Sequence, residues 1–405
     1  MKEANKIIGG SLLIAGSCIG AGMLALPILT GIAGLKPTLV MLGLAWLFMT
    51  TTALLLIEVN GWFKKEVNLL TMVEHTLGKW GRRLSWALYL MLFYALLVAY
   101  MVLSGNHASH FLLHVLGLNI PDWVGTFFFV VVFGWLIYLG TRPVDLVNRA
   151  LMFGKIGAFV LLVTLSAGYV RQVNLEVSHV SLVFVAMPIL VISFGFHNMI
   201  PPLHAYLKGN TKKIKIAIIG GSLLTLCIYL IWEVVAIGVL PEGVIISSHA
   251  NDIDAAQAIQ TTINRPIIGT TAGILAFFAI LTSFLAQSLS LARFWADGLS
   301  SKNKTRSLSN FWFCGLALLP PLGFAILFPN VFFAALNFAG GICAVILFGL
   351  FPALMVWIGR YKKNIKAPYR LIGGRKTLCF VLLFASFILF YQLTITFGWD
   401  LFPHA

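Results

Sequence analysis

Two hydrophobic stretches of this chain are long enough to cross a bilayer, and both are interrupted near their middles. The first runs from about Ile7 to Ala33 and carries Gly16-Ser17-Cys18-Ile19-Gly20-Ala21-Gly22, with Pro27 just beyond. The second runs from about Val180 to Leu207 and carries Ser193-Phe194-Gly195-Phe196-His197, with Pro201 and Pro202 just beyond. Non-helical backbone is costly in hydrocarbon, because its N–H and C=O groups lose their partners there. It is tolerated where it lines a cavity or is buried in protein. A matched pair of such breaks in one chain points to the substrate site of a secondary transporter.

The rest of the sequence supplies the membrane setting. Of 405 residues, 60% are hydrophobic and only 10% charged, against about 25% charged in a soluble domain. Apolar runs of about 20 residues exclude a membrane barrel, whose strands alternate. The expectation is an all-α polytopic membrane protein in one domain, 1–405. A net charge of +15 raises the question of nucleic acid. The charges fall between apolar segments, however, so membrane orientation accounts for them and no nucleic-acid partner is expected. Cys18, Cys227, Cys314, Cys343 and Cys379 lie in apolar segments without metal or disulfide spacing, and no cofactor or metal is expected. The first stretch shows no cleavage site after Leu26-Pro27 and reads as a retained helix.

Eleven spans follow, at 7–33, 37–60, 84–111, 123–141, 146–170, 180–207, 214–240, 266–298, 308–328, 331–358 and 376–398. With the N-terminus in the cytoplasm, only Lys36, Arg171 and Arg265 fall on the external side, and every other Lys and Arg falls inside. That asymmetry supports the span count and orientation and predicts a periplasmic C-terminus. Spans one to five and six to ten line up by position, each set starting with a broken helix. Each set has an odd number of spans, so the second enters from the opposite side. The pattern is an inverted repeat, about 7–170 and about 180–358, with an extra helix at about 376–398. Residues 64–82 and 241–264 suit short amphipathic helices at the two surfaces.

A break of this kind suits a free amino acid. The ligand's carboxylate and ammonium must both be paired at mid-membrane. The N–H groups opening the second half-helix, near Ala21, Gly22 and Met23, face an anion favourably. Freed carbonyls near Ser17 and Cys18, and around Phe194 and Gly195, accept from the ammonium. Glycine at 20 and 22 lets the ligand approach the backbone. Gly16-x-x-x-Gly20 also suits plain helix packing, but packing does not explain the second break.

Several side chains are candidates. His197 at the second break is an intramembrane ionisable residue that suits proton carrying or satisfies the freed backbone. Lys155 either snorkels to the surface or points into the bundle, where it needs a partner. Thr282 and Ser283 offer hydroxyls at similar depth. Glu58 and Asp297 suit structural ion pairs near the cytoplasmic face, and Glu233 lies on a conceivable proton path. Tyr94, Tyr100 and Ser104 can line the cavity, as can Phe196. No clustered catalytic set suggests an enzyme, and no filter-like repeat suggests a channel.

Gly16-Ser17-Cys18-Ile19-Gly20-Ala21-Gly22-Met23-Leu24-Ala25-Leu26-Pro27 resembles the first-helix motif of the hydroxy and aromatic amino acid permeases. Ser193-Phe194-Gly195-Phe196-His197 resembles that family's sixth-helix motif. The aromatic branch also resembles this chain at Leu54-Leu55-Leu56-Ile57-Glu58-Val59, Val144-Asp145-Leu146-Val147-Asn148-Arg149, Thr282-Ser283-Phe284-Leu285 and Leu319-Pro320-Pro321. The resemblance implies a LeuT-like five-plus-five inverted fold and a proton symporter of the bacterial inner membrane. It implies import of an aromatic amino acid, tyrosine first; serine or threonine belongs to the sibling branch, and two unlike breaks within one chain argue for a monomeric carrier. It further implies that Thr282 and Ser283 match hydroxyls that bind sodium in other members of the fold, and that Lys155 matches a lysine replacing that ion. Asn198-Met199 departs from the small residues that often follow the histidine in the tyrosine branch, which bears on the side-chain pocket.

Overall fold

The computed structural model describes residues 2–63, 67–299, 306–367 and 369–399. Among the described residues, eleven helical segments occur in the expected order. The first is split into Lys2–Cys18 and Gly22–Gly31. Then come Leu35–Asn60, Leu69–Leu116, Asp122–Leu139, Thr141–Ala167, the interrupted Val180–Tyr206, and Thr211–Val239. The last four are Pro266–Leu299, Arg306–Leu327, Phe332–Tyr361 and Gly374–Thr396. Among the described residues, nine are long and apolar enough to cross a membrane on their own. The bent first pair adds a tenth, and the apolar part of the ninth span, Phe311–Leu327, is shorter than the rest.

Three features differ from the sequence expectation. The third span begins early, at Leu69, because a preceding helix runs into it across a kink at Gly78 (φ 76°). That positive φ is reached cheaply only by glycine. The expected surface helix at 64–82 is therefore partly an extension of this span, and residues 64–66 lie outside the described residues. The tenth span is not a plain α-helix: Ala339–Leu350 forms a π-helix, a form concentrated at functional sites. Its Gly340 lies against the carbonyl of Pro188 in the sixth span, an approach that leaves no space for a side chain. The segment between the seventh and eighth spans folds as two helices, Glu242–Ala250 and Ala255–Ile263, not one. Asp254 caps the second by accepting from Ala256 N at 2.8 Å, and Asp252 accepts from Phe332 N and Phe333 N at the start of the tenth span.

These two short helices pack on the second half of the first span, in which every residue from Met23 to Gly31 is buried. The first half is different, with Ile8, Leu12 and Leu13 exposed. At the other end of the molecule Glu58 and Arg360 form a buried two-point pair, Nε–Oε1 2.6 Å and Nη2–Oε2 2.5 Å. Leu371 N also donates to Glu58 at 3.0 Å. The second span, the tenth span and the loop after it are thereby tied together. Such a pair is costly to break singly, because the remaining charge would stay buried. The expected structural role of Glu58 thus has its partner.

Candidate substrate site at the two helix breaks

The chain turns by 60° between the two halves of the first span. Across that turn most backbone groups find partners. Gly20 N donates to Cys18 O (2.9 Å), Met23 N to Gly20 O (3.1 Å) and Leu24 N to Ala21 O (3.1 Å). Ala21 N donates to the Ser283 hydroxyl at 3.0 Å. Among the described residues, the Gly22 amide has no acceptor and the carbonyls of Ser17 and Gly195 have no donor. The sequence expectation was wider. It placed free amides at Ala21 and Met23 and free carbonyls at Cys18 and Phe194. Those four groups are consumed by Ser283, Gly20 O, the Tyr229 hydroxyl and Phe196 N respectively.

What remains has the polarity of a zwitterion cradle. One N–H is free at the start of a ten-residue helix, an end whose dipole favours an anion, and two carbonyls are free to accept from a cation. Gly22 is partly exposed, and a Cβ there would meet nothing nearer than the Ser193 hydroxyl at 3.7 Å. The gap between the breaks is therefore open at Gly22. It is closed at Gly20, where a Cβ would fall 2.5 Å from the Ser283 oxygen. Ser17 is exposed at the base of the break, and its hydroxyl donates to Ile14 O at 2.8 Å.

Lys155 points into the bundle and does not snorkel. It is 1% exposed. Its ammonium donates to the Ile19 carbonyl at the first break and to the Thr282 hydroxyl at 3.2 Å. No carboxylate pairs with it among the described residues. The buried ammonium is held only by neutral oxygens, and leaving it unpaired would be costly. Lys155 on the fifth span, Thr282 and Ser283 on the eighth, and the break itself thus form one polar junction. Tyr100 is buried beside Ser283.

His197 belongs to a separate junction. Its Nε2 pairs with Thr52 Oγ1 at 2.9 Å. Its ring stacks on Phe348 of the π-helix, centroids 4.9 Å apart and planes 8° apart, and on Phe196 at 5.3 Å. Nδ1 has no partner among the described residues. Phe194 is buried edge-on against Tyr229. The Tyr94 hydroxyl donates to the Leu316 carbonyl of the ninth span at 2.7 Å.

On the seventh span the sequence singled out Glu233 but not Tyr229 or Trp232. Tyr229 donates to Cys18 O at 2.7 Å and lies 3.1 Å from Ser193 O, so one hydroxyl bridges both breaks. Trp232 Nε1 donates to Met23 O at 2.8 Å. Glu233 accepts from Thr30 at 2.8 Å. Tyr229, Trp232 and Glu233 are spaced i, i+3, i+4 and so share one helix face. That spacing was the available signal.

An all-helical bundle with broken first and sixth spans, followed by an eleventh span, defines the class: a membrane transporter of the five-plus-five inverted-repeat fold. The crystal structure of MhsT in complex with L-phenylalanine superimposes with a TM-score of 0.64, covering 95% of this chain and 97% of that one at 13% identity. The family model described as the tryptophan/tyrosine permease family matches residues 3–392, and the chain belongs to that family. Among its relatives, tyrosine-specific transport system 1 of Haemophilus influenzae is 33% identical over 390 residues, 95% of this chain and 96% of the relative. The tryptophan-specific transport protein of the same organism is 28% identical over 419 residues, covering 98% of each. The chain is thus a permease and not an enzyme.

Proposed function

We propose that this permease imports aromatic amino acids, tyrosine foremost, together with a proton across the bacterial inner membrane. In this reading its N-terminus is cytoplasmic and its C-terminus periplasmic, and it works as a monomer. The substrate carboxylate docks on the Gly22 amide, and its ammonium on the carbonyls of Ser17 and Gly195. Lys155 is the coupling group. Charged, it bridges Ile19 O and Thr282 and holds the first, fifth and eighth spans together. Neutral, it can no longer satisfy the Ile19 carbonyl in the same way, and the first half-helix is released toward the cytoplasm. The repeats at about 7–170 and 180–358 then rock about the site. The placement of the Lys155 ammonium between a broken-helix carbonyl and an eighth-span hydroxyl carries this reading.

The substrate class rests on the tyrosine- and tryptophan-specific relatives. An aromatic pocket gains roughly 1.5–3 kcal/mol from burying a ring, which a serine side chain cannot supply. The test is radiolabelled tyrosine uptake into proteoliposomes under an imposed proton gradient, competed with each amino acid. Tyrosine should block uptake at concentrations about tenfold or more below serine, and a protonophore should abolish accumulation. Equal competition by serine would transfer the chain to the sibling specificity. Accumulation that ignores the proton gradient would remove the coupling.

A further inference from the structure

Two polar side chains at the second break have unused donors among the described residues: the buried Ser193 hydroxyl and the Asn198 amide. Asn198 follows His197 in a short turn that packs against the first half-helix. Phe196 and His197 at the start of the turn are buried, whereas Gly195 and Asn198 are partly exposed. Asn198 Oδ1 accepts from the Tyr89 hydroxyl at 2.8 Å. Its Nδ2 has no partner among the described residues. Around Tyr89 stand Phe93 (6.0 Å between centroids), Phe294 (6.2 Å) and Phe348 (6.2 Å). An oriented amide therefore sits in a wall otherwise made of rings, at the turn that flanks the candidate cradle.

We propose that Asn198, held in orientation by Tyr89, selects the hydroxyl of the substrate's ring and favours tyrosine over both phenylalanine and tryptophan. The inference rests on the aromatic amino acid reading above. Its chemistry lies in which half of the amide is free. The carbonyl half is occupied by Tyr89, so only N–H is on offer. A phenol oxygen accepts from it. Phenylalanine leaves it unpaired, and sites built to bond a hydroxyl discriminate against analogues lacking one. An indole N–H meets a donor with a donor. Asn198 is thus a specificity residue and Tyr89 a positioning residue.

The test is competition of labelled phenylalanine and tyrosine uptake in proteoliposomes by tyrosine, phenylalanine and tryptophan. The wild type should favour tyrosine over phenylalanine by about tenfold, the worth of one well-placed hydrogen bond. Asn198→Leu should bring that ratio to within about twofold of unity by weakening tyrosine while phenylalanine uptake persists. Tyr89→Phe frees the amide to turn and present its oxygen, so tryptophan should gain relative to tyrosine. A general structural lesion would weaken all three substrates together and leave the ratios unmoved. Retention of the wild-type ratios in both variants overturns the proposal, as does a wild type that does not distinguish tyrosine from phenylalanine. Should Asn198→Leu fail to insert, the tryptophan ratio of Tyr89→Phe decides alone. A wild type that transports no aromatic amino acid instead refutes the substrate class proposed above.

Discussion

The two helix breaks solve one problem in different ways. The first is wired by side chains from other spans: Lys155 on Ile19 O, Ser283 on Ala21 N, Tyr229 on Cys18 O and Trp232 on Met23 O. The second closes largely on itself, with Phe194 N, Gly195 N and Phe196 N donating to carbonyls two or three residues back. Its His197 is clamped between Thr52 and the Phe348 ring. The first break turns the chain by 60°, while the second lies inside a segment that otherwise runs on from Val180 to Tyr206. A break held by removable side-chain bonds can change partners during a transport cycle. A break held by its own backbone and a stacked ring acts as a fixed wall.

That contrast orders the expected effects of substitution. The largest belongs to Gly22→Leu. A Cβ fits there without a clash, so the protein should insert and fold, yet the longer side chain would fill the gap between the breaks. Uptake should fall to background; wild-type uptake by a folded Gly22→Leu protein would remove the cradle from this position. Next is Lys155→Met, which should lose gradient-driven accumulation while equilibrium tyrosine binding stays within a few-fold of wild type. Loss of both together would mean that Lys155 only holds the fold. Ser283→Ala leaves the Ala21 amide without its hydroxyl acceptor. The hydrogen bond is worth about 1 kcal/mol, so substrate affinity should weaken by roughly fivefold, measurable by saturation binding. His197→Ala should be smallest in transport and clearest in stability. It removes a ring stack and a bond to Thr52, so the thermal midpoint in detergent should drop while substrate affinity hardly moves. A selective loss of proton coupling in His197→Ala would make the second break part of the coupling path and erase the contrast.

Much of this was legible in the sequence, for identifiable reasons. Glycine-rich interruptions in apolar runs located both breaks, because hydrocarbon forbids free backbone elsewhere. The alternating Lys and Arg placed the spans in order. Lys155 could be named but not aimed, since a lysine near a span's end either snorkels or turns inward, and only its neighbours decide. The amides could be placed only as a group. Which of them stays free depends on Ser283 reaching across from the eighth span, a contact between residues 262 positions apart. Tyr229 was missed because a tyrosine in an aromatic-rich apolar span carries no local mark of the carbonyls it will meet. The π-helix of the tenth span was missed as well, because its apolar run reads the same in α and π winding.

The central claim is that Lys155 acts through a proton it can release, not through a fixed charge. Lys155→Arg tests it most directly, because guanidinium keeps its charge throughout the physiological range. Tyrosine accumulation should be measured in proteoliposomes under an imposed inward proton gradient, beside a binding measurement on the same preparation. The account predicts that Lys155→Arg inserts and binds tyrosine but does not concentrate it. If Lys155→Arg concentrates tyrosine as well as the wild type does, proton release at Lys155 is not the coupling step.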